Sequence, residues 1–138
     1  CALPICGLYS HAEGVSTTAN GSFSHAEGAG TTASGSESHA EGTATTASGV
    51  YSHAQNEGTK ASSTAQTAIG QFNEEDANGK YAFIIGNGSS DVNRSNAFAL
   101  TWSGDIEFAF NVSAASGTVD GDLYEAITDL GWGNEVII

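Results

Sequence analysis

The four histidines of this chain, His11, His25, His39 and His53, each stand 14 residues on from the last. Glu13, Glu27 and Glu41 follow the first three, two residues behind each. An imidazole and a carboxylate at that spacing suit proton transfer, hydrogen bonding or ion pairing, and metal ligation. Catalysis needs one site whose groups take different roles, and a ladder of equivalent His and Glu is the opposite of that. The sequence contains no G-x-S-x-G, H-E-x-x-H, P-loop or paired catalytic Cys/His motif. Its acidic pairs, Glu74-Glu75-Asp76 and Asp120/Asp122, have the composition of a glycosidase dyad or a Ca²⁺ site, but solvated loop charge and a helix cap explain them more simply. The chain therefore reads as a non-enzyme with no cofactor.

The elements that position these residues follow from the repeat itself. Ser10-His11-Ala12-Glu13-Gly14 returns as Ser24-His25-Ala26-Glu27-Gly28, as Ser38-His39-Ala40-Glu41-Gly42, and in altered form as Ser52-His53-Ala54-Gln55-Asn56. Half a step behind run Thr17-Thr18-Ala19-Asn20-Gly21, Thr31-Thr32-Ala33-Ser34-Gly35 and Thr45-Thr46-Ala47-Ser48-Gly49. A short fixed period means one structural unit stacked on its neighbours. Helices are disfavoured by this density of Gly, Ser and Thr, whereas two short strands joined by Gly-containing bends fit one repeat. The unit is one coil of a β-solenoid.

Alternation along a strand divides the side chains between two faces. It places Ser10, Ala12 and Gly14 on one face and Tyr9, His11 and Glu13 on the other. Strands so close in sequence press together only over very small side chains. The expected coil interior is therefore Ser10, Ala12, Gly14, Ala26, Ala40 and Ala54, with Ala19, Ala33 and Ala47 from the Thr-rich half-coil, whose threonines then face solvent. An interior of Ala, Ser and Gly is too thin to stabilise one chain alone. Four such coils rise only about 19 Å at ~4.8 Å per strand.

Ser-x-Ala-x-Gly recurring at this step resembles the head repeat of trimeric autotransporter adhesins of the YadA type. That resemblance implies a left-handed parallel β-roll in which three chains pack side by side. The wording Ser-His-Ala-Glu-Gly with Thr-Thr-Ala-Ser-Gly is similar to repeats of tail-fibre and other structural proteins of bacteriophages and prophages. The likeness covers roughly residues 9–70 and draws its specificity from the in-register copies. It departs from the adhesin heads at His and Glu, where those heads usually carry aliphatic residues, so an apolar trimer seam does not simply carry over.

Within a trimer the His/Glu face is best placed on the threefold axis, because solvent-facing residues would be free to drift between copies. Each coil then contributes rings of His11, His25, His39 or His53 and of Glu13, Glu27 or Glu41, with Tyr9, Phe23 and Tyr51 on the same side. Neighbouring His compensates the gathered carboxylates. Octahedral ligation of an ion by three His and three Glu is the metal alternative, and ordinary hydrogen bonding satisfies the same atoms without it.

Charge and chain ends complete the expectations. Sixteen acidic residues face three basic ones, a net charge of −13 with His neutral. That balance argues against nucleic-acid and membrane-surface partners. No apolar run approaches the length of a transmembrane helix, and no signal-peptide pattern is present. Residues 1–8 read as an apolar cap or connector, with Cys1 and Cys6 open to a disulfide, free thiols or cross-chain bridges. The start at Cys1 suggests a fragment or processed product, and the Ile-Ile end is either packed into a trimer or cut from a longer protein. Residues 9–70 form the roll, with a loss of rhythm at Gln55-Asn56-Glu57-Gly58. Residues 71–138 form an α+β region. It holds a polar loop at 73–79, a strand over 81–86, and a hairpin in which Phe98, Leu100 and Trp102 alternate before Ser103-Gly104-Asp105 and Ile106, Phe108, Phe110 and Val112 after it. One helix follows, with Leu123, Ile127 and Leu130 on one face.

The fold expected is thus mainly β, a homotrimeric roll with a small α+β appendix. The function expected is a structural and adhesive segment of a phage tail fibre or receptor-binding apparatus. Its partners would be itself and a host surface receptor, with glycans among the candidates, and its location extracellular, on a virion tail or a cell surface. A bacterial adhesin head and a trimeric glycan-processing spike are the alternatives.

Overall fold

The computed structural model describes residues 6–108. Within them the chain is all β, wound as a parallel solenoid with two faces. The long strands are β1 (His11–Val15), β3 (His25–Ala29), β5 (His39–Thr43), β7 (His53–Glu57) and β9 (Thr67–Gln71), and the short ones are β2 (Thr18–Ala19), β4 (Thr32–Ala33), β6 (Thr46–Ala47) and β8 (Lys60–Ala61). The long strands pair in parallel with His11 opposite His25, His25 opposite His39 and His39 opposite His53, and the short ones stack as a separate sheet, β2-β4-β6-β8. The expected helix, the tail, Phe110 and Val112 lie outside the described residues, as do residues 1–5.

The interior is a double column of alanines. Ala26, Ala40, Ala54 and Ala68 from the long sheet meet Ala19, Ala33, Ala47 and Ala61 from the short one, all fully buried, with Ala12 half-buried in the first coil. Ser24, Ser38 and Ser52 are buried at the corner, where each hydroxyl donates to the carbonyl of Gly21, Gly35 or Gly49 at 2.7 Å. Ser10 does the same to Gly7 at 2.8 Å. A polar atom thus enters the interior already bonded, at little cost.

Three expectations about faces are corrected. Gly14 does not line the interior: it is exposed, with φ +108, and Gly28 and Gly42 repeat that backbone at +105 and +101. Positive φ breaks strict alternation, so the residue turns out of the coil. Tyr9 and Phe23 do not share the strand face of His and Glu, because the strands begin at the histidines. Tyr9, Phe23, Glu37, Tyr51 and Ala65 occupy one corner position with φ between 55 and 59, and the three aromatics there are exposed. The threonine pairs, finally, are split between faces: Thr17, Thr31, Thr45 and Thr59 are buried, while Thr18, Thr32 and Thr46 are half-buried on the outside.

The rhythm is kept at the fourth copy. Asn56 stands opposite Gly42 and keeps positive φ, +81, while Gly58 stands where Ala44 and Gly30 stand. Asn56 carries a Cβ where its predecessors have none, and the ladder opens there: Gly70 N–H donates to the Asn56 Oδ1 at 3.2 Å, a side-chain oxygen taking a backbone acceptor's place. The repeat also begins earlier than Tyr9, since Cys6 and Gly7 donate to Ala19 O as Asn20 and Gly21 donate to Ala33 O. Cys6 is disulfide-bonded.

Nor does the sheet stop at Gly70. Strand β10 (Tyr81–Asn87) adds a sixth parallel member, with Phe83 opposite Thr67 and Ile84 opposite Ala68. Strands β11 (Asn96–Thr101) and β12 (Ile106–Phe108) then continue the same sheet in antiparallel fashion, the second hairpin turning at Gly104 with φ +95. The short sheet ends differently, on side-chain amides. Asn73 accepts from Lys60 N–H at 2.7 Å and donates to Lys60 O at 3.0 Å, so its amide takes the place of a next strand's peptide. Gln66 likewise accepts from Ser62 N–H and donates to Asp76 and to Tyr81 O. The loop 73–79 is therefore not simply solvated, since Asn73 and Asp76 are buried.

Candidate functional site

Parallel stacking in register gathers the histidines. Rings of His25 and His39 lie stacked 4.7 Å apart and nearly parallel at 5°, His39 and His53 follow at 4.9 Å and 12°, and His11 meets His25 edge-on at 5.0 Å. The Glu13, Glu27 and Glu41 column runs beside them in the same register. Contacts between the columns are diagonal in the middle of the stack: His39 Nε2 lies 3.5 Å from Glu27 Oε1 and His53 Nε2 lies 3.3 Å from Glu41 Oε1. At the open end His11 instead approaches Glu13 of its own coil at 3.5 Å, with both side chains more than half exposed.

These contacts are unequal. His53 and Glu41 form a hydrogen bond. His39 and Glu27 are near enough for charge attraction, yet the geometry is not that of a hydrogen bond, and His39 Nε2 is enclosed with no hydrogen-bond partner. Burial of that imidazole, with His53 and His25 stacked on either side, holds His39 below its ordinary value of 6.5, and Glu41 and Glu27 only partly oppose the shift. The fold therefore favours neutral His39. Stability from this group is present above about pH 6.5 and is lost as the pH falls below it, because the unfolded chain takes up the proton more readily. We expect the thermal midpoint, measured with EDTA present, to fall between about pH 7 and about pH 5. His39→Thr should flatten that slope, since Thr67 holds the same column two coils on. An unchanged slope in the variant would show that His39 is not the titrating group.

Following the two columns along the sheet shows what they become. The His column passes to Thr67 and then Phe83, and the Glu column passes through Gln55 to Ile69 and Ile85. Antiparallel pairing adds Leu100 opposite Phe83, Phe98 opposite Ile85, and Ile106 and Phe108 opposite Leu100 and Phe98. One outer face is therefore ionic at one end and apolar at the other, with Phe83, Phe98 and Phe108 in edge-to-face contact at 6.2 and 5.4 Å. The buried side of this region is Ile84 and Ala99, not the aromatics. Of the aromatic corner, Tyr9 and Phe23 stack at 5.3 Å, whereas Glu37 separates Phe23 from Tyr51.

The acidic loop residues have structural partners. Asp76 accepts from Gln66, Asn78 and Tyr81. Glu75 accepts from Ser62 and Lys60, and those two bonds hold its carboxyl below the usual range. Sequence reasoning missed the terminating amides, Gln66 and Asn73. Their one signal was that Gln66 stands where Ser10, Ser24, Ser38 and Ser52 stand, a long amide replacing a short hydroxyl.

Stacked coils with identical residues in vertical columns define a parallel β-solenoid repeat protein. No protein-family model matches the chain, and no curated protein or solved structure proves similar to it.

Proposed function

We propose that the chain is a structural and adhesive segment of a homotrimeric fibre, part of a phage tail fibre or receptor-binding apparatus that attaches to a bacterial surface. The observation that carries the reading is the single outer face on which a column of four histidines gives way to Phe83, Ile85, Phe98, Leu100, Ile106 and Phe108. An apolar sheet face of this kind is stabilised by covering it, and an interior of alanines contributes little burial per coil. Three copies packed through that face supply the area, with the left-handed β-roll that the repeat wording suggests. The acceptors of Asp76 and Glu75 are engaged in holding the loop, which favours a structural role over glycan cleavage. The disulfide at Cys6 suits an extracellular setting.

Native mass spectrometry at micromolar concentration should give three chains per particle. A folded monomer under those conditions overturns the assembly. Immunogold labelling with an antibody to this chain identifies the owner: label on virion tails supports the phage reading, and label on bacterial surfaces transfers the same architecture to an adhesin head.

A further inference from the structure

We propose that Glu27, His39 and Glu41 form a binding site for a divalent transition-metal ion of the zinc class. The site is assembled by register alone. Glu27 comes from β3, and His39 and Glu41 from the neighbouring β5, two residues apart and hence on the same strand face. One donor atom from each lies within 4.8 Å of the other two, and all three residues are half-buried. Zinc binds imidazole nitrogen and carboxylate oxygen at about 2.0–2.2 Å, which places adjacent donors of a tetrahedron about 3.4 Å apart. The 3.5 Å between His39 Nε2 and Glu27 Oε1 already has that span, and turning the Glu41 carboxylate from its 3.3 Å hydrogen bond with His53 toward His39 closes the remainder. Two carboxylates and a neutral imidazole balance the double charge and are the mixed N/O set that this class of ion accepts.

A second, independent observation points into the same place. His39 Nε2 is shielded from solvent and makes no hydrogen bond, although Glu27 is beside it. An enclosed nitrogen without a partner is costly, and ligation of an ion by its lone pair removes the cost. The analogous set at the open end, His11, Glu13 and His25, is more exposed and has no such orphaned atom, so it is the weaker competitor. The proposal rests on the residues of a single chain and does not require the trimer.

The test uses the full chain freed of metal with EDTA and titrated with ZnCl₂ by calorimetry, with Co²⁺ absorption as a second readout of ligand geometry. One tight equivalent per chain is expected, together with a thermal midpoint that rises on addition of Zn²⁺. Glu41→Gln should weaken that equivalent about tenfold or more while the chain still folds, because Gln55 naturally holds the next place in the column. His39→Thr, copying Thr67, should abolish it, and His11→Ala should leave it unchanged. Absence of saturable binding overturns the site, as does an affinity in Glu41→Gln or His39→Thr that is unchanged from the parent chain. One ion per three chains would also overturn it, in favour of an ion shared between copies.

Discussion

Gly28→Ala should lower the thermal midpoint by about 10 °C or more, a loss of about 3 kcal/mol or greater. Two effects act together. Gly28 has φ +105, where an L side chain is strained, and a Cβ there would lie 2.1 Å from Gly42 O, a backbone atom of the next coil that cannot move without opening the ladder. Gly28→Asn should lose roughly half as much, because Asn tolerates positive φ better than Ala and the fourth coil shows how it is accommodated. There Asn56 keeps φ at +81 and its Oδ1 accepts from Gly70 N–H. The check is a pair of thermal scans at equal protein concentration. If Ala and Asn cost the same, the side-chain oxygen does not replace the ladder bond.

That contrast also marks how far the sequence could be read. The period, the strand pairing and the interior alanines were legible because identical residues at 14-residue steps leave only one register in which Ala26 meets Ala40 and His25 meets His39. Strand alternation failed wherever the backbone takes positive φ. Tyr9 and Phe23 before each long strand and Gly14 within it were assigned to faces as if the chain ran regularly extended through them, whereas φ of +57 turns the aromatics at a corner and φ of +108 breaks the alternation inside β1. The threonine pairs were assigned to solvent as a block, although residues next to one another on a strand face opposite ways, and Thr31 and Thr45 are buried accordingly. Asn56 looked like a break because the repeat was aligned on its glycines, and a side-chain amide standing in for a peptide leaves no compositional trace. The same holds for Asn73 on Lys60. The diagonal reach from Glu27 to His39 was hidden for a further reason: the sequence places Glu two residues after its own His, and only three-dimensional stacking brings it to the next one.

Substituting the interior and exterior neighbours of β4 should separate the two faces by the second large effect. Ala33 is fully buried between Ala19 and Ala47, which pair with it above and below. Leu at that place has no cavity to enter, so Ala33→Leu must push the two sheets apart, at a cost of about 3 kcal/mol or more, the upper end for overpacked cores. Large residues are not foreign to these columns in general: Ile84 is fully buried opposite Ala68. It fits because β8 is the last strand of the short sheet, so beyond it the facing wall is the loop held by Asn73 and Gln66 rather than another Ala-bearing strand. Thr32→Lys, one residue away, should change the midpoint little, within about 0.5 kcal/mol. Thr32 is half-exposed, and its column already ends in Lys60, which pairs directly with Thr46 and reaches Glu75 at 3.0 Å. Thermal scans of both variants decide the matter: a tolerated Leu beside a disruptive Lys would mean that the short strands present the opposite face to the interior.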